Sequence, residues 1–273
     1  MYKRKYIVIL ILLFITSLIA SFECRNAESR APDKNKQTGS IVKGDTSKIP
    51  SGLKRLLSAY PDFLERADEN HLYWKDGTSM IYDDGAQKTF EEKLDNADLE
   101  DMMYQEYTPG SDWDEPPAEN FEPGRIRCEA FFSKMYGTTK SEVQANLVTI
   151  TWSPSGDKVQ VSSVNGVDKK MKEVAKELLS LEDKYLKYVK KTAGTFNYRK
   201  IAGTSRMSTH SYGISIDINT AYSDYWQWDK SMTYKNQIPM AVVEVFEKHG
   251  FIWGGKWYHY DTMHFEYRPE LLN

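Results

Sequence analysis

Ser208-Thr209-His210-Ser211-Tyr212-Gly213-Ile214-Ser215-Ile216-Asp217-Ile218-Asn219 is the stretch from which the rest of the chain is read. Ile214, Ile216 and Ile218 alternate with Ser215, Asp217 and Asn219, the two-residue period of a strand with one apolar and one polar face. Asp217 belongs to the polar face. Gly213 can adopt backbone angles closed to other residues, which permits a sharp entry that returns His210 to the side of Asp217. The six residues between them suit a turn and a strand better than two turns of one helix.

A second polar cluster closes the chain, Trp257-Tyr258-His259-Tyr260-Asp261-Thr262-Met263-His264-Phe265-Glu266. If its end is a strand, His264 and Glu266 share a face and Asp261 approaches from the preceding turn. Two histidines and a carboxylate could then converge. A catalytic zinc site needs three ligands of this kind and an open position for water, whose pKa falls to about 7 on the metal. Asp261, left unligated, could accept that water's proton. A single histidine is more often a core or surface group than a ligand, so the joint spacing carries the inference.

These residues resemble a metallopeptidase family that includes the vancomycin-resistance type of D-alanyl-D-alanine carboxypeptidase and the L-alanyl-D-glutamate endopeptidases of phage. That family carries serine-x-histidine, then x-x-glycine, then aspartate four residues after the glycine, and later an acid three residues before a histidine. Ser208, His210, Gly213, Asp217, Asp261 and His264 fill those places. The resemblance implies Zn2+ held by His210, Asp217 and His264, with Asp261 as general base and Ser208 on the substrate side. It also implies an upstream arginine that holds a substrate carboxylate or the developing oxyanion. Arg199, in Phe196-Asn197-Tyr198-Arg199, fits that place, and Arg206 competes by lying nearer to His210. The family's carboxypeptidases commonly use glutamate as base and its endolysin-like members aspartate, so Asp261 leans toward the latter. The implied partner is a peptidoglycan stem peptide.

Outward from the motif, Pro239 opens a helix that buries Val242, Val243, Val245 and Phe246, and Gly250 ends it. Val167 to Val189 carries apolar residues at helical spacing among many Lys and Glu residues, the pattern of one long amphipathic helix. Leu147 to Trp152 and Val159 to Val164 alternate around Ser153-Pro154-Ser155-Gly156-Asp157 and read as a hairpin. A further hairpin is expected where Leu72-Tyr73-Trp74 and Met80-Ile81-Tyr82 flank Lys75-Asp76-Gly77-Thr78. Pro50 to Arg66 has helical spacing, and the four prolines of Pro109 to Gly124 mark a loop. The expected fold class is α+β, a small antiparallel sheet carrying the zinc site and packed with helices, plus an N-terminal extension with a hairpin. The peptidase domain is placed at 125–273, after an N-terminal segment at 50–124 for which the motif gives no role.

Lys3, Arg4 and Lys5 precede an apolar run from Tyr6 to Phe22, so residues 1–31 read as a signal peptide or a membrane anchor, with a flexible linker over 32–49. Cys24, after the run, is a lipidation candidate in a poor processing context. The expected location is extracytoplasmic, with membrane contact only through this segment. The two cysteines, Cys24 and Cys128, offer no disulfide framework. A formal net charge of -3 with mixed signs argues against a nucleic-acid partner.

His249 sits at a helix end, where the dipole accounts for it. His259 and Glu266 each have a plain structural reading beside an outer-shell one. Tyr222, Tyr225, Trp226 and Trp228 read as core-closing aromatics rather than as a substrate groove. Three rivals remain. A non-heme iron oxygenase also uses two histidines and a carboxylate, but spaces the first pair as His-x-Asp. Ser51-Gly52-Leu53-Lys54 fits the Ser-x-x-Lys of penicillin-binding enzymes, but no Ser-Asp-Asn accompanies it. A wall-binding module without turnover would retain the ligands, and the intact Asp261 speaks against it.

Overall fold

The alternating isoleucines do form a strand, Ser215–Asp217, in a computed structural model that describes residues 46–228 and 231–272. The expected signal or anchor at 1–31 and most of the 32–49 linker lie outside the described residues. Among those described, no helix is long and apolar enough to cross a membrane.

The elements run α1 (Ser51–Ala59), β1 (Leu64–Ala67), β2 (His71–Trp74), β3 (Ser79–Ile81), α2 (Phe90–Asn96), α3 (Leu99–Met103), α4 (Glu129–Tyr136) and α5 (Lys140–Ala145). There follow β4 (Leu147–Trp152), β5 (Asp157–Ser162), α6 (Val167–Leu178), α7 (Asp183–Val189), β6 (Ser215–Asp217), α8 (Met240–Lys248), β7 (Phe251–Trp253) and β8 (His264–Tyr267). The strands make three small antiparallel sheets, β1-β2-β3, β4-β5 and β6-β8-β7. The fold is therefore α+β, and both expected hairpins are present.

The third sheet positions the site. β8 lies between β6 and β7, with Ser215 opposite Glu266, Ile216 opposite Phe265 and Asp217 opposite His264. Because side chains alternate across a strand, Ile216 and Phe265 face the core while Ser215, Asp217, His264 and Glu266 share the other face. Phe265 stacks on Phe246 of α8 at 3.8 Å between ring centroids, and Trp253 stacks on Phe265. Ile214, Ile216, Ile218 and Phe265 are fully buried, each worth about 1.5–3 kcal/mol of burial. The apolar face thus anchors a sheet whose polar face is free for chemistry.

Two expectations need correction. The helix over 167–189 is two helices, parted at Leu179-Ser180-Leu181-Glu182. There the amides of Leu179, Ser180 and Leu181 bond three residues back, to Lys176, Glu177 and Leu178, and this tighter winding ends α6. The helical reading of Pro50 to Arg66 holds only to Ala59, because Leu64–Ala67 is a strand paired with β2. Tertiary pairing overrides the local apolar spacing.

The N-terminal segment packs onto the end of the chain. Tyr60 Oη donates to Glu270 at 2.6 Å, Glu270 accepts from Arg268 Nε at 2.5 Å, and Arg268 Nη1 donates to Glu266 at 3.0 Å and to the Gly124 carbonyl at 2.6 Å. All four side chains are fully buried. A buried polar network of this kind is tolerated only when its members satisfy one another.

Candidate metal centre

Ser208 leads into a single 3-10 turn, Thr209–Tyr212, which Gly213 ends with φ +68°. A side chain at Gly213 would meet Leu147 at 2.6 Å, so glycine serves both the turn and the close approach of β4. The turn sets His210 beside Asp217, and the β6-β8 register sets His264 opposite it. His210 Nε2 lies 3.1 Å from Asp217 Oδ1 and 3.2 Å from His264 Nδ1, and His264 Nδ1 lies 3.0 Å from Asp217 Oδ1.

Hydrogen bonds on the outer ring nitrogens fix which atoms face inward. His210 Nδ1 donates to the Thr195 carbonyl at 2.5 Å, and His264 Nε2 donates to Glu266 Oε2 at 3.0 Å. The neutral imidazoles then turn lone pairs, from His210 Nε2 and His264 Nδ1, toward the Asp217 oxygen. Three acceptors so close repel unless a cation lies among them. Bond lengths of 2.0–2.2 Å to a tetrahedral zinc give ligand-ligand edges of about 3.3 Å, close to the observed triangle. The residues present therefore fit a divalent cation, and imidazole with carboxylate suits zinc.

The electrostatics agree. Burial opposes ionisation of Asp217, but His210 and His264 outweigh it and hold the carboxyl well below the usual range. Burial likewise opposes charge on His264, yet Asp217 and Glu266 raise its pKa to about 10. In the metal-free protein a proton on His264 thus supplies the positive charge that a cation would bring. Two other acidic groupings, Asp83-Asp84-Asp98 and Asp98-Glu100-Asp101, lack any imidazole. Lys88 already pairs with three of these five acids, with Nζ 2.9 Å from Asp84, 3.2 Å from Asp98 and 2.7 Å from Asp101.

Asp261 lines the same pocket as the three candidate ligands. Its Oδ1 is enclosed and has no hydrogen-bond partner among the described residues. Burial raises its pKa to about 6, with the charge of Asp217 adding to the effect and His264 opposing it. A carboxylate left short of donors beside a cation site is poised to take a proton.

Of the other expected residues, Ser208 is buried on the pocket wall, held through its amide to the Arg199 carbonyl at 3.1 Å. Arg199 also lines the pocket, with its side chain exposed at the mouth, whereas Arg206 is turned away into an ion pair with Asp95 at 3.3 Å. Glu266 is fully buried and orients His264 rather than lying in solvent. His259 bonds Glu122 and packs on Trp226, outside the pocket, and His249 pairs with Glu173 and Glu177 of α6. Among the four aromatics Tyr225 lines the pocket and also packs against the core, Tyr222 packs on Tyr188, Trp226 packs on His259, and Trp228 is exposed.

Several residues at the site gave no sequence signal. Thr195 acts through its carbonyl, which any residue has. Thr209 Oγ1 donates to Glu266 at 2.9 Å and accepts from Ser215 Oγ at 2.7 Å, tying the turn to both strands. Ser211 Oγ accepts from the Arg199 amide at 2.8 Å and donates to its carbonyl at 2.7 Å, holding that segment over the site. Arg125 and Arg127 line the pocket from a loop far upstream of the motif.

Residues 202–267 match a family model described as D-alanyl-D-alanine carboxypeptidase, of the M15 zinc metallopeptidase family. The matched span contains His210, Asp217, Asp261 and His264, the residues that carried the resemblance in the sequence. The match thus supports a metallopeptidase. No curated protein and no solved structure matches the chain.

Proposed function

We propose that this chain is a zinc-dependent peptidase acting on the peptide part of the cell wall, at the bond before a terminal D-alanine or between L-alanine and D-glutamate. The observation that carries it is the triangle of His210 Nε2, Asp217 Oδ1 and His264 Nδ1 at 3.0–3.2 Å, with Asp261, whose Oδ1 has no partner among the described residues, in the same pocket. Zinc held by the triangle would supply Lewis acidity toward a peptide carbonyl and lower the pKa of water to about 7.

The chain's own groups do the rest. Asp261 takes a proton from the attacking water and delivers it to the leaving amine, a role worth on the order of 10²- to 10⁴-fold in rate. Glu266 and the Thr195 carbonyl keep both imidazoles in the ligating tautomer. Arg199, at the pocket mouth, faces the oxygen on which charge develops or a nearby substrate carboxylate. The family match supports an extracytoplasmic site of action, where such peptides are found.

The test is mass analysis of fragments released from defined wall peptides by protein reconstituted separately with zinc and, anaerobically, with ferrous iron. Loss of a single D-alanine, or cleavage after L-alanine, by the zinc form supports the reading. Stoichiometric zinc without any cleavage would instead point to a binding module.

A further inference from the structure

Strand register and one tight turn place the three candidate ligands, but neither places Asp261. Residues 257–263, which run from the turn after β7 to the start of β8, form neither helix nor strand. Asp261 Oδ1 has no hydrogen-bond partner among the described residues, so no donor aims the carboxylate on that side. Its direction there must come from the backbone that carries it. Part of that hold is local, because the Asp261 amide donates to the Gly254 carbonyl at 2.9 Å and the Trp226 amide donates to the Tyr260 carbonyl at 3.0 Å. The rest comes from far upstream.

Residues 121–125 lie against this loop. The Phe121 carbonyl accepts from the Tyr258 amide at 2.9 Å, and the Pro123 carbonyl accepts from Trp257 Nε1 at 2.7 Å. Between them Glu122, only 1% exposed, accepts on Oε1 both from the His259 amide, at 3.3 Å, and from His259 Nδ1. Glu122 Oε2 lies 2.8 Å from Arg125 Nε, and Arg125 Nη1 donates to the His259 carbonyl at 2.9 Å. Glu122 and Arg125 thus grip His259 through its amide, its ring and its carbonyl, two residues before Asp261. Glu122 is itself fixed, its amide donating to Gln105 Oε1 at 2.6 Å and Gln105 Nε2 donating to the Asn120 carbonyl at 2.7 Å. It belongs to 50–124, the segment for which the motif gives no role.

We propose that Glu122 is a positioning residue for the reaction, holding the 257–261 loop so that the Asp261 carboxylate meets the attacking water. The assignment rests on the peptidase reading above. Apolar residues of like volume would hold two segments together without enclosing a charge, which is costly. A carboxylate engaged at both oxygens adds direction, because its partners are met in a narrow range of geometry. General-base catalysis depends on such precision, since a displacement of about 1 Å can cost on the order of 10²-fold in rate. The three candidate ligands are independent of the clamp, because the hydrogen bonds and ion pair of Glu122 reach Gln105, His259 and Arg125 and none of His210, Asp217 and His264.

The experiment uses acetyl-L-lysyl-D-alanyl-D-alanine and L-alanyl-γ-D-glutamyl-L-lysine, whichever the zinc-loaded wild type cuts. Glu122→Gln should lower kcat by about 10- to 100-fold, while KM and zinc affinity stay within about twofold of wild type. In an Asp261→Asn background the same change should lower the residual rate by less than about twofold, because a residue acting through Asp261 has nothing left to position. A second full loss in that background would overturn the assignment, and so would an unchanged kcat. A rise in KM with kcat intact would instead trace the effect to substrate contact by Arg125, and would also overturn it. Hydrogen exchange on the metal-free protein gives a readout apart from turnover. The amides of Tyr258, His259 and Asp261 should exchange at least about tenfold faster in Glu122→Gln, with those of β6 and β8 unchanged. Faster exchange throughout the chain would mark a merely structural role. His259→Phe, at a side chain 23% exposed, keeps packing on Trp226 but cannot donate to Glu122 from its ring, and should reproduce both results if Glu122→Gln folds poorly. Wild type that cuts neither peptide removes the peptidase reading, and this assignment with it.

Discussion

Asp217 on β6 and His264 on β8 are cross-strand partners, and their facing atoms lie 3.0 Å apart. Two of the three candidate ligands are thus placed by strand register alone. A slip of one residue would put Ile216 or Phe265 in the site and a charged group in the core. The burial of Ile216 and Phe265 that stabilises the sheet therefore also fixes the spacing of the two candidate ligands on it. Only His210 depends on a turn, and Gly213 shapes that turn.

Gly213→Ala should consequently affect both stability and metal binding. The added methyl meets Leu147 at 2.6 Å and the Ser162 amide nitrogen at 3.1 Å, at a backbone φ of +68°. The expected cost is about 1–3 kcal/mol, read from urea unfolding. Zinc affinity should fall with it, because His210 moves with the turn.

Glu266→Gln tests the outer support. The carboxylate accepts from His264 Nε2 and is held by Arg268 and Thr209. Removing its charge should lower zinc affinity by about 10- to 100-fold, measured by chelator competition, with His210 and Asp217 still in place. Unchanged affinity would mean that the bond does not tune the ligand.

The N-terminal segment communicates with the same carboxylate. Arg268→Met would strip Glu266 and Glu270 of their shared cation, both carboxylates being fully buried. Breaking a buried pair in this way costs about 3–5 kcal/mol. Tyr60→Phe, which removes one donor to Glu270, should cost only about 1 kcal/mol. Denaturant titration of the metal-free protein separates the two.

Asp261 gives a pH signature. Its folded pKa is raised to about 6, above an unfolded value near 3.8. Stability from the neutral carboxyl is thus complete below pH 3.8 and is lost as pH rises through 6. Asp261→Asn should then stabilise the metal-free protein at pH 7–8, on the order of 3 kcal/mol, with the gain vanishing toward pH 4. A thermal unfolding series across that range would show it. The same variant should keep zinc and lose hydrolysis.

The sequence made the convergence of His210, Asp217 and His264 legible because each half of it is local. The Ile214-Ile216-Ile218 alternation located β6, and His210, Asp217, Asp261 and His264 fall within two short segments. What joins the halves was less visible. Strand order β6-β8-β7 follows from long-range packing, and a carbonyl such as that of Thr195 leaves no trace in residue type. Arg125 and Arg127 escaped notice because a loop arginine looks the same whether it meets solvent or a pocket. The division between α6 and α7 contains neither proline nor glycine, so periodicity ran through it. Leu64–Ala67 was hidden for a related reason, since its partner strand decides its conformation.

The most direct test is zinc-edge anomalous diffraction from crystals of the zinc-loaded protein. One ion should lie within about 2.0–2.2 Å of His210 Nε2, Asp217 Oδ1 and His264 Nδ1 together, with the Asp261 carboxylate nearby and unligated. Zinc bound elsewhere, or held by fewer than these three side chains, would contradict the account.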